Sequence, residues 1–73
     1  MSYLLEVDNE YAEVEQLQVY PCEHLTALAD RLESETGWPR TECDEIARAV
    51  GKGSAFEDAD EDTGRILIAR KRR

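Results

Sequence analysis

Cys22 and His24 are the residues of this sequence that come nearest to a metal site or an activated thiol. They lie two positions apart at the predicted start of a helix, so their side chains would point about 200° apart and could not easily share one ion. Cys43 lies in the apolar stripe of a second predicted helix, where a buried thiol behaves as a small hydrophobic group. His24 is the single histidine, and therefore the one imidazole that could activate either thiol. We predict no metal, no cofactor and no enzymatic activity.

Two segments have the composition of ligand-binding loops without the required spacing. Residues 51–54 contain two glycines and a lysine, but they follow a predicted helix rather than a strand, unlike a phosphate-binding loop. The acidic run at 57–62 lacks the alternating ligands, central glycine and later glutamate of an EF-hand calcium loop. We expect a solvated turn there, since dense charge also protects the end of a hairpin from aggregation.

The two predicted helices are separated by a glycine-containing turn, as in a helix-turn-helix motif. The second helix, however, opens with Glu42, Asp44 and Glu45, which would face the phosphates of DNA and be repelled by them. Sequence-specific DNA binding through this helix is therefore not expected.

Charge is distributed unevenly along the 73 residues, which carry a net charge of -8. All 17 acidic residues lie within residues 1–64, together with only four basic ones, whereas residues 65–73 contain five Lys or Arg and no acid. The sequence therefore predicts an anionic body with a cationic end.

The length allows one hydrophobic core, so we predict a single domain over residues 1–70 followed by a basic tail at 71–73. No apolar run reaches the length of a membrane span, and the first residues lack the pattern of a signal peptide. Two cysteines are too few for the disulfide framework of a small secreted domain. We expect a cytoplasmic protein with reduced thiols.

Apolar residues recurring at i, i+3, i+4 and i+7 predict two helices. Residues 11–20 do not keep one alternating phase; we prefer a strand with a bulge, because Pro21 favours extended geometry before it, and a short helix is the alternative. The predicted elements are strands at 3–7, 11–20, 54–56 and 65–70 and helices at 22–35 and 41–50, with Thr41 as the second N-cap. The predicted fold class is α+β, a small antiparallel sheet of three or four strands packed against two helices in the order β-β-α-α-β-β.

The acidic side chains of the predicted strands and turns are the candidate partner-binding residues, because carboxylates on a rigid scaffold can imitate a row of phosphates. Trp38, in the corner between the helices, is the aromatic residue we expect to anchor a partner, with burial in the core as the alternative. The candidate carboxylates are Glu6, Asp8, Glu10, Glu13, Glu15, Glu57, Asp58, Asp60, Glu61 and Asp62.

The leading hypothesis is a noncatalytic interaction module that occupies a basic surface of a partner, such as the nucleic-acid groove of another protein. Its build is similar to that of small phage-type inhibitors, including anti-CRISPR proteins, in composition alone. One alternative is a structural or self-associating domain whose acidity reflects adaptation of a whole proteome. Another is a weak nucleic-acid binder acting through Arg70 to Arg73. A mimic gathers its carboxylates on one face, whereas adaptation scatters them.

Overall fold

Four strands and two helices follow one another in the predicted order β-β-α-α-β-β. The protein's structure is a computed structural model that describes residues 2–72. Within that range, neither helix is long and apolar enough to span a bilayer. The elements are β1 (Tyr3–Asn9), β2 (Gln18–Cys22), α1 (Leu25–Thr36), α2 (Arg40–Gly51), β3 (Phe56–Ala59) and β4 (Arg65–Lys71).

The strands form one antiparallel sheet in the order β2-β1-β4-β3, which confirms the predicted α+β class. β1 and β4 are the two central strands, and they pair along their whole length from Tyr3 opposite Lys71 to Asn9 opposite Arg65. Because side chains alternate between the two faces of a strand, every second residue of each central strand points toward the helices. Because β1 and β4 are antiparallel, the loop after β1 and the turn before β4 lie at the same end of the sheet.

Both helices cover one face of the sheet, with α1 over β1 and β2 and α2 over β3 and β4. Leu5 and Leu67 from the sheet and Leu28 and Leu32 from α1 are fully buried at this contact. Burying a leucine side chain stabilises the fold by about 1.5–3 kcal/mol, so these four residues carry much of the core energy. The core also contains Cys22, Ala29, Cys43, Ala47, Val50 and Ala69.

The predicted strand at 11–20 is wrong for residues 11–17 and correct from residue 18 onward. Residues 10–17 form a turn followed by irregular chain, and Val14, at 73% exposure, has no core to enter. The physical reason is that the apolar side chains of this segment do not all fall on alternate positions, so a strand here could not bury them on one face. Pro21, which has no N–H to donate, is tolerated because β2 is an edge strand.

The predicted helix starts are also displaced from the observed ones. α1 begins at Leu25 rather than at residue 22, because Cys22 is the buried last residue of β2. α2 begins at Arg40 with Pro39 at the N-cap position rather than Thr41. The carbonyl of Pro39 accepts hydrogen bonds from the N–H groups of residues 42 and 43, at 3.0 and 3.1 Å, which starts the helix earlier than predicted.

Three strands differ from the prediction by a few residues at one or both ends. β1 continues through Asp8 and Asn9, beyond its predicted end at residue 7, and β3 occupies Phe56–Ala59 rather than residues 54–56. β4 extends one residue further, to Lys71, in the predicted basic tail, and the N–H of Arg72 donates to the carbonyl of Ser2 at 2.9 Å. Arg73, the last residue of that predicted tail, lies outside the described residues.

Candidate protein-interaction surface

The loop at 10–17 and the turn at 60–64 lie side by side at one end of the sheet, although about 50 residues separate them in sequence. The N–H of Glu10 donates to the carbonyl of Gly64 at 2.9 Å, and the Asn9 side-chain amide donates to the carbonyl of Thr63 at 3.2 Å. The Tyr11 hydroxyl donates to the carbonyl of Glu61. These contacts hold the start of the loop, residues 9–11, against the turn.

Gly64 allows the ring of Tyr11 to lie against the turn. Its backbone has a φ of 77°, in the left-handed region that glycine adopts at low cost. A Cβ at this position would lie 2.5 Å from Cδ2 of Tyr11 and 2.9 Å from Oδ1 of Asn9. The close approach of the two segments therefore requires glycine at residue 64.

The two joined segments carry six carboxylates, which we call the acidic end. Residues 10–17 and 57–64 contain no Lys or Arg. None of the six carboxylates makes an ion pair within residues 2–72, so they concentrate negative potential there. The turn is ordered internally, since Oδ1 of Asp60 accepts the N–H of Asp62 at 2.9 Å. The acidic end comprises Glu10, Glu13, Glu15, Asp60, Glu61 and Asp62.

The other four predicted carboxylates lie on the sheet itself. Glu6, Asp8 and Glu57 are on the face turned away from the helices, which we call the open face. Asp58 points to the helix side, 3.9 Å from the guanidinium of Arg65. The structure therefore groups nine of the ten candidate carboxylates on the acidic end and the open face, and separates Asp58 from them.

Carboxylates on the helices are arranged differently, because basic residues lie among them. Arg40 contacts Asp30 and Glu33 of α1 and Asp44 of its own helix. Hydrogen bonding to Asp30, with the charge of Asp44, raises the pKa of Arg40 above its ordinary value. These carboxylates are thus partly neutralised within the fold.

Trp38 is half-buried between the helices and β3, not fully exposed as a partner anchor would be. Its ring meets that of Phe56 edge to face, with centroids 6.0 Å apart, and the Arg65 guanidinium lies 5.8 Å from its centre. Much of the ring therefore packs against other residues of the chain. This is the burial in the core that we gave as the alternative to partner binding. Its role as a partner anchor stays a prediction.

A groove of about 770 Å³ opens where β2 no longer follows β1. The last pair between these strands is Val7 with Gln18, so Asp8 and the next residue of β1 lack a neighbour from β2. Leu17 and Arg65 also line the groove. The sheet therefore has a concave rim beside the acidic end.

No family model, curated protein or solved structure matches this chain. Among residues 2–72, no group of three or more His, Cys, Asp or Glu side chains is placed to hold a metal ion. Cys22 ends β2 and His24 caps α1, so the pair singled out in the sequence is split between two elements.

Both thiols are expected to react slowly while the chain is folded. Cys22 and Cys43 are free and buried, and burial raises the pKa of each thiol, so less reactive thiolate is present at a given pH. Native protein should react with DTNB at least about tenfold more slowly than the same chain in urea. Equal labelling rates in the native chain and in urea would refute this burial.

The free energy of unfolding should also fall as the pH rises past the ordinary thiol pKa, because the thiols of the unfolded chain lose their protons at a lower pH than those of the folded chain.

The apolar side chains of the open face were not among the candidate site residues predicted from the sequence. Leu4, Ile66 and Ile68 are half-buried there, and Val19 is 47% exposed. The signal was available for β4, where the alternation already placed Ile66 and Ile68 on the face opposite Leu67. It was absent for Val19, because the phase of residues 11–20 was ambiguous.

Proposed function

We propose that this chain is a noncatalytic protein-interaction module whose acidic end occupies a basic surface of a partner, in the manner of an inhibitor of a nucleic-acid-binding protein. The observation that carries the proposal is the contact of Tyr11 with Gly64, which holds together two acidic segments, neither of which contains a basic residue. Holding acidic segments together costs electrostatic free energy, since like charges repel, and binding of a basic partner would offset this cost.

The physical basis is electrostatic complementarity. Carboxylates fixed on a rigid scaffold present a row of negative charge that a groove built for phosphates can accept. Steering by such a field raises the association rate at low ionic strength and fades as salt is added. Fixing the two segments before binding also reduces the ordering entropy that association costs.

The second candidate is a structural or self-associating domain with adaptive acidity, and the helices supply the observation in its favour. Their carboxylates are interleaved with Arg40 and other basic residues, which is the scattered pattern expected of adaptation. The acidic end lacks this interleaving. Both charge patterns occur in this chain. The carboxylates of the acidic end, which have no basic residue in their segments, support the interaction module.

Direct nucleic-acid binding through the basic C-terminal residues has less support. Arg70 lies in β4, where its guanidinium contacts Glu6 at 3.2 Å, so part of the predicted basic patch is neutralised by the sheet. The acidic body would repel the same polyanion that the tail attracts.

Affinity capture from the native host, with this chain as bait, tests the proposal. We expect a basic protein to be captured at low salt, released at high salt, and displaced from the bait by duplex DNA, because both ligands use the same groove. Capture that is insensitive to salt, or a partner that binds DNA and the bait at once, would contradict it.

A matched pair of baits locates the contact. The acidic-end variant carries Glu13→Gln, Glu15→Gln and Glu61→Gln. The distal variant, so named only because its residues lie outside 10–17 and 57–64 in sequence, carries the same change at Glu23, Glu42 and Glu45. Both lose three carboxylates that make no ion pair within residues 2–72. Only the acidic-end variant should lose the partner.

A further inference from the structure

The open face carries apolar side chains that nothing in residues 2–72 covers, since both helices pack on the opposite face. Leu4, Ile66 and Ile68 are half-buried there, and Val19 remains 47% exposed. Aliphatic side chains left partly exposed on one face of a sheet are typical of an interaction surface.

The strand register gives this face a definite pattern. Glu6 lies opposite Val19 of β2 on one side and opposite Ile68 of β4 on the other, and Asp8 is paired with Ile66. The central strand therefore contributes two half-buried carboxylates flanked by aliphatic side chains of its neighbours. Charge and apolar area alternate across the strands.

We propose that the open face is the docking surface for a partner segment with an apolar stripe and adjacent Lys or Arg side chains, an inference that rests on the proposed function. The partner's aliphatic groups pack on Val19 and Ile68, and its basic side chain reaches Glu6 and Asp8 between them. Covering the face removes water from these carboxylates, which strengthens their attraction to a cation. Surrounded by aliphatic contacts, such a charge pair has the setting of an interface hot spot.

The charges of the face favour this occupant over a second copy of the chain. Among the strand residues that the structure describes, the face carries Glu6, Asp8 and Glu57 and one cation, Arg70, which Glu6 already contacts. Two such faces packed together would bury like charges against each other, which opposes association. A basic partner neutralises them instead.

The probe is a short synthetic helical peptide with a leucine face flanked by lysines, titrated into the full ¹⁵N-labelled chain. We expect amide shifts concentrated in β1, β4 and β2. A second peptide, in which serine replaces leucine and the lysines remain, should bind at least about tenfold more weakly because it lacks the apolar contact.

Matched variants of the chain assign the site. Val19→Ser should weaken binding of the leucine-lysine peptide at least about fivefold, whereas Val14→Ser, in the loop at 73% exposure, should change it less than about twofold. Both residues are largely solvent-exposed, so neither change should unfold the chain.

The outcomes separate this inference from the function on which it rests. Shifts confined to residues 10–17 and 57–64 would overturn the docking surface while leaving the acidic module in place. Failure of the peptide to bind would overturn it too, but the proposed function would fall only if an arginine-only peptide also failed to bind. A free chain that sediments as a dimer and is separated by Val19→Ser would show a second copy on this face, which also overturns the inference.

Discussion

Gly64→Ala is expected to lower the free energy of unfolding by roughly 2–4 kcal/mol. Part of the loss is backbone strain, because alanine disfavours the φ of 77° found at this residue. The rest is steric, since the new methyl group would lie 2.5 Å from the Tyr11 ring and must displace it. Urea unfolding followed by circular dichroism measures the difference directly.

Gly37→Ala is the matched control for that experiment. Gly37 ends α1 with a φ of 74°, almost the same backbone strain, but apart from its chain neighbours no atom of residues 2–72 would lie within 4 Å of a Cβ there. It should cost only about 1 kcal/mol. Adding Tyr11→Ala to Gly64→Ala should recover part of the steric loss but not the strain. Equal losses for the two glycine substitutions would contradict the described Tyr11–Gly64 contact.

Displacing Tyr11 has a consequence beyond stability. A domain of this size has a net stability of only roughly 3–5 kcal/mol, so Gly64→Ala leaves a marginal fold whose loop and turn are no longer held together. Binding to a basic partner should weaken in the molecules that remain folded, since the carboxylates then need ordering on association.

The fold was largely predictable because its helices and central strands have strong apolar periodicity. The stripes of α1 and α2 each indicate one buried face, and the apolar run from Ile66 to Ala69 indicates a strand with apolar side chains on both faces. The start of β2 was not predictable, since Val14 and Leu17 look apolar enough for a strand but have no layer to cover them. The start of α1 was missed because the burial of Cys22 depends on its place in the sheet.

The residues of the candidate site were predictable from composition, but their arrangement was not. That Glu13 and Glu61 share one end of the molecule depends on the pairing of β1 with β4, a contact between opposite ends of the chain. Asp58 could have been separated from the others, because it shares a face with Phe56 in an alternating strand. The role of Tyr11 against Gly64 has no local sequence signal, since it joins two loops that are distant in sequence.

The second large effect is expected on the affinity for a cationic peptide, when the acidic-end variant is compared with the distal variant. Each variant replaces three glutamates by glutamine, so the two proteins have the same net charge and differ only in where charge is lost. Basic side chains accompany the carboxylates on the helices, whereas none lies in the two acidic segments. The contribution of each carboxylate to a cationic ligand is therefore larger at the acidic end.

The most direct measurement is the dissociation constant of a fluorescent nonaarginine peptide for the original chain and both variants, at an ionic strength of about 0.1 M. We expect the acidic-end variant to bind about tenfold more weakly than the original chain and the distal variant less than about threefold more weakly. Equal losses in the two variants would mean that only net charge matters, and would contradict a binding surface formed by the acidic end.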